Sequence, residues 1–78
     1  MPMLSLIQRD DCALCDLAWE VLQQAGVRDF APVFIDGDAG AEIRYGSRVP
    51  VLKLDDSELA WPFDAAAVRA WLASAQAD

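Results

Sequence analysis

Arg9-Asp10-Asp11-Cys12-Ala13-Leu14-Cys15-Asp16 is the stretch on which the fold turns. An apolar run over residues 3–8 precedes it, bounded by charge, as a buried strand is. After it, Leu14, Leu17, Ala18, Val21, Leu22 and Ala25 fall at the spacing of one face of an amphipathic helix. Asp11 is suited to cap that helix, and Gly26 to end it in a left-handed conformation. The two cysteines therefore sit where a strand hands over to a helix. A bridge between them closes a loop so small that it adds only about 2 kcal/mol of stability. A structural staple joins distant segments, so this pair is placed for reactivity.

The remaining elements follow outward. Residues 30–36 predict a second strand, with Pro32 pointing to an edge or to a position whose N–H is not needed. Asp36-Gly37-Asp38 is a turn, and residues 39–45 predict a short helix capped by Asp38 and stopped at Gly46. Val51 to Leu54 reads as a third strand. Asp55-Asp56-Ser57 turns the chain into a fourth over residues 58–61, ended by Pro62. Asp64 caps a last helix that buries Val68, Trp71, Leu72 and Ala75. The first strand–helix–strand unit implies a parallel pair with a right-handed crossover. The hairpin implies an antiparallel one. The expected fold class is α/β: a four-stranded mixed sheet with helices on both faces, in the order β-α-β-α-β-β-α, as a single domain over residues 1–78.

The chain has 78 residues, a net charge of −7, two cysteines and no histidine. A domain this short buries only about 60–65% of its unfolded surface. Its 55% apolar content is nevertheless ample for a core and excludes a disordered chain. The negative charge argues against nucleic acid and against anionic membranes as partners. The opening residues carry no basic region ahead of an apolar one, and no run approaches the ~20 residues of a membrane span. The expectation is a cytoplasmic monomer.

A Cys-x-x-Cys pair at a helix start in a strand–helix–strand setting reads as a redox motif. The thiolate is the nucleophile in disulfide exchange, and a free thiol of pKa near ~8.5 is only slightly ionised at neutral pH. The unpaired N–H groups and dipole of a helix N-terminus stabilise the anion by ~0.3–2 kcal/mol. Cys12, nearest that end, is the expected nucleophile. Cys15, one turn on and more covered, is the expected resolving thiol. Asp10, Asp11 and Asp16 oppose ionisation. Two other readings stand beside this one. Cysteines at this spacing also ligate zinc or iron–sulfur clusters, though zinc wants four ligands and one chain offers two thiols. The pair is otherwise inert, in an interaction module without turnover.

Taken together, the segment around Cys12 and the segment Tyr45-Gly46-Ser47-Arg48-Val49-Pro50-Val51-Leu52 resemble the glutaredoxin-like branch of the thioredoxin superfamily. The resemblance covers essentially the whole chain. It implies the thioredoxin fold, thiol–disulfide oxidoreductase activity, and a cis peptide before Pro50 facing the cysteines. It also implies that the backbone of Val49 pairs with an extended substrate by short-range strand addition. Arg48 would lie near the cysteines, stabilising a thiolate or holding a substrate carboxylate. The expected partner is a disulfide-containing protein or small thiol, with no tightly bound cofactor and no metal, and glutathione as a candidate reductant. The sequence departs from the family pattern in three places. Ala13-Leu14 replaces Pro-Tyr between the cysteines, and Arg48 replaces a threonine. Trp61-Pro62-Phe63-Asp64 stands where the family has Gly-Gly and an acid for the glutathione γ-glutamyl end, so only Asp64 carries over. Trp19 lies off the helix stripe, facing either a partner or an overlying loop. Trp61 and Trp71 read as core.

Overall fold

A computed structural model describes residues 4–75. The elements are β1 (Ser5–Gln8), α1 (Ala13–Gln24), β2 (Ala31–Phe34), α2 (Ala39–Tyr45), β3 (Val51–Leu54), β4 (Ser57–Ala60) and α3 (Ala65–Ala75). The expected strand start at Met3 lies outside the described residues. The four strands form one sheet in the order β2-β1-β3-β4. β1 and β2 are parallel, while β3 runs antiparallel to both β1 and β4. The mixed α/β sheet expected from the sequence is the one observed.

Strand alternation divides the core into two layers. Leu4, Leu6, Leu52 and Leu54 point to one face and meet Ala18 and Leu22 of α1 and Val68 of α3. Ile7, Ile35 and Val51 point to the other and meet Tyr45 at the end of α2. Helices thus cover both faces. Trp61 and Trp71 pack, partly buried, against the first layer. β2 is an edge. The N–H groups of Ala31 and Ile35 donate inward to the carbonyls of Leu4 and Gln8 at 2.8 and 2.9 Å. Pro32 therefore directs its missing donor outward, where no ladder bond is lost.

The ends of the elements separate good signals from poor ones. Gly26 ends α1 at φ 80, as expected of a left-handed stop. Asp38 caps α2 by accepting the N–H of Ala41 at 3.1 Å, and Asp64 caps α3 through Ala67 at 2.8 Å. Gly46 follows α2 but stays right-handed at φ −51. Its role is close approach instead: a Cβ there would run into the Glu42 carbonyl and the Arg9 side chain. The hairpin turn is one residue shorter than expected. Ser57 already pairs with Leu54, and Asp55 takes the left-handed conformation at φ 53. Aspartate tolerates that region better than most residues. The peptide bonds Val49–Pro50 and Trp61–Pro62 are both cis.

Candidate active site

The loop after β1 is held from two sides. Arg9 pairs with Glu42 at 2.6 Å and donates to the Gly46 carbonyl at 3.3 Å, which ties the loop to α2. The N–H of Asp10 donates to Asp36 Oδ1 at 2.9 Å, which ties it to the turn after β2. Asp11 then swings the chain through φ 56. That turn overturns the expectation that Asp11 caps α1. The cap is Cys12 itself, in an extended conformation (φ −122, ψ 109), whose Sγ accepts the N–H of Cys15 at 3.2 Å. A residue with left-handed backbone cannot present the extended geometry a cap requires, and the next residue supplies it.

Cys12 and Cys15 are joined in a disulfide, with Cα atoms 5.2 Å apart. Cys15 is 1% exposed, whereas Cys12 is only half-buried. The sulfur nearer the helix end is thus the more accessible, as expected. The covering of Cys15 differs from the expectation. Leu14 and Leu17 are 47% and 46% exposed, and the buried line of α1 runs through Cys15, Ala18 and Leu22. Ala18 is fully buried on that line, and the two leucines fall to its exposed side. Beneath the helix, Gln8 is buried and its Oε1 accepts the indole N–H of Trp19 at 3.0 Å. Trp19 also meets Phe30 edge to face at 4.9 Å. A buried glutamine at the end of an apolar strand carried no sequence signal.

The register Ile7↔Val51 brings Val49-Pro50 to the same end of the sheet as the loop of residues 9–12. Pro50 is buried, and its carbonyl accepts the N–H of Trp61 at 3.1 Å. The N–H of Val49 is engaged internally, donating to the Tyr45 carbonyl at 3.1 Å. Arg48 is engaged as well. Its guanidinium pairs with Glu58 at 2.8 Å and lies 5.4 Å from the centre of the Tyr45 ring. The Tyr45 hydroxyl donates to the other Glu58 oxygen at 2.9 Å. These bonds, first from Arg48 and then from Tyr45, hold the Glu58 carboxyl below its usual range. Burial first, and then the bond to Glu58, push the Tyr45 hydroxyl up. Sequence reasoning singled out Arg48 but missed Tyr45 and Glu58, which lie on different elements. Among the described residues, no group of three or more His, Cys, Asp or Glu side chains is arranged to hold a metal ion.

With this geometry established, comparison with known proteins gives a direct result. The chain matches the family described as Glutaredoxin-like domain (DUF836) over residues 3–73. It belongs to that glutaredoxin-like family. Two solved structures of target protein XcR50 from X. campestris are similar to it. The X-ray structure has a TM-score of 0.85 and 57% identity, covering 91% of this chain and 96% of that one. The solution structure has a TM-score of 0.86 and 56% identity, covering 92% and 94%. A comparison with curated proteins finds no match. The glutaredoxin-like fold and its Cys12–Cys15 pair fit a thiol redox role. No described helix is long and apolar enough to cross a membrane.

Proposed function

We propose that this glutaredoxin-like domain is a thiol–disulfide oxidoreductase acting in the cytoplasm. The observation that carries the proposal is the disulfide at the start of α1, with one sulfur accessible and the other buried. In the reducing direction, the Cys12 thiolate attacks one sulfur of a substrate disulfide. A mixed disulfide forms and one substrate thiol leaves. The Cys15 thiolate then attacks Cys12 Sγ, closing the internal bridge and releasing the second substrate thiol. Two electrons pass from the protein dithiol to the substrate, and an external thiol reductant restores the dithiol.

The surrounding residues support distinct steps. The N–H of Cys15, already directed at Cys12 Sγ, is a donor to the thiolate when the bridge opens. Val49-Pro50 form the wall against which an extended substrate would lie. Because the Val49 N–H is engaged by Tyr45, strand addition there would rest on its carbonyl. Arg48 is engaged by Glu58, so it would have to leave that pair to hold a substrate carboxylate.

The test is thiol trapping. After mild oxidation the wild type should lose the mass of two hydrogen atoms within one peptide and regain two alkylatable thiols with dithiothreitol. Cys15→Ser should accumulate the mixed disulfide on Cys12. Cys12→Ser should react more slowly at its remaining thiol. Two freely alkylated thiols under conditions that oxidise a control dithiol would sink the proposal.

A further inference from the structure

We infer that the disulfide reduced at this site lies in a cationic, partly apolar polypeptide segment, and that anionic small thiols such as glutathione are disfavoured; this rests on the redox function proposed above. Exposed carboxylates flank Cys12 along the chain. Asp10, Asp11 and Asp16 are all exposed and lie within four residues of it in sequence. Asp36 joins them, because its Oδ1 takes the Asp10 N–H. The two arginines nearest in the motif segments are directed elsewhere, Arg9 to Glu42 and Arg48 to Glu58. Among the described residues, none of the four carboxylates has an ion-pair partner. The charged side chains around this loop are therefore net negative, with no ion pair among the described residues to offset them.

The second observation concerns shape rather than charge. Leu14 and Leu17 expose nearly half their surface, one turn apart on the helix that Cys12 begins. They offer an exposed apolar surface on the first turns of the helix that Cys12 caps. Glutathione carries two carboxylates against one ammonium and has no apolar side chain, so it gains from neither feature. A segment with Lys or Arg beside its cysteine and an aliphatic residue one step away gains from both. Charge of this kind acts mainly on encounter, raising or lowering the rate of attack rather than the strength of a lasting complex.

The experiment compares two symmetric peptide disulfides, identical except that lysines or glutamates flank the cysteine. Each oxidises the reduced full-length protein, and quench-alkylation gives the rate. Each rate is divided by that of dithiothreitol with the same peptide, which removes intrinsic reactivity. The lysine peptide should react ~10-fold faster or more at low salt, within the range that electrostatic steering supplies. The ratio should fall toward one near 1 M salt, where the screening length is about 3 Å. The triple variant Asp10→Asn, Asp11→Asn, Asp16→Asn should bring it within ~2–3-fold at low salt, because loss of steering removes most of the rate difference. Any change this variant makes in Cys12 ionisation alters both rates alike and cancels. Leu14→Ser with Leu17→Ser should slow a lysine peptide that carries leucine more than it slows one without leucine. A low-salt ratio near one, a faster glutamate peptide, or a ratio the triple variant does not move would overturn the inference. If neither peptide oxidises the protein, the redox function itself falls, and this inference falls with it.

Discussion

The two faces of the sheet are built on different principles. The face under α1 and α3 is apolar throughout, with eight buried residues among those described, Phe63 included, and a further ring of partly buried ones. The face under α2 has four, and one of these is Tyr45, whose hydroxyl reaches out to Glu58 and, through it, Arg48. The first face carries α1, on which Cys15 lies buried and which Cys12 caps. The second face carries the approach to Val49-Pro50 and is fastened by charge. The candidate site thus joins a helix anchored on the larger apolar layer to a wall on the smaller, charge-fastened one.

The sharpest way to break the comparison is to hollow out the first face. Leu22 is fully buried in α1, and Leu22→Ala should cost about 2–5 kcal/mol through lost transfer energy and the cavity left behind. A urea titration would read this as a lowered midpoint at unchanged slope. An effect below about 1 kcal/mol would mean that this layer repacks freely around the lost side chain.

A medium effect is expected from the second face, and it depends on pH. Glu58 titrates lower in the folded chain than in the unfolded one. Its contribution is therefore fully present above the ordinary glutamate pKa of ~4.3 and is lost as pH falls below it toward the lowered folded value. Tyr45 is raised, so its contribution is present below ~10 and is lost as pH rises beyond that through the folded value. Tyr45→Phe should cost about 1–3 kcal/mol near neutrality, the range for a hydrogen bond to a charged group, and should abolish the alkaline loss. Glu58→Gln should flatten the acid limb. Unfolding midpoints from pH 3 to 11 would show both limbs or neither.

The smallest effect belongs to the Arg9–Glu42 pair, whose side chains are 36% and 40% exposed. Glu42→Gln should change stability by no more than about 1 kcal/mol, and less in high salt. Its use is to hold the loop of residues 9–12 in place, so the thiol exchange rate should change more than the melting temperature does.

The layered architecture was legible because strand alternation, helix spacing and turn residues agreed along the chain. The caps at Asp38 and Asp64 were legible for the same reason: each is a short acceptor standing three residues before the N–H it satisfies. The start of α1 was legible in position but not in chemistry, since Asp11 and Cys12 both offer a side-chain acceptor and only the backbone turn chooses between them. The buried face of α1 was misjudged because two neighbouring apolar lines run along it, and periodicity cannot rank Leu14 and Leu17 against Cys15 and Ala18. The cluster of Arg48, Tyr45 and Glu58 was invisible because its members meet only when β4 folds back beside β3. The cysteine pair was visible from the start, since it needs only four consecutive residues to be recognised.

The cap at Cys12 has a consequence for how this chain can change. In the proposed reaction the sulfur that begins the helix is also the reagent, so one atom would serve as punctuation and as chemistry. Serine is among the best residues for beginning a helix. Exchanging that sulfur for oxygen would therefore silence the exchange reaction while the helix still starts where it does now. A descendant that had lost its redox trade would keep its shape, and a single substitution separates the working protein from its folded, inactive twin.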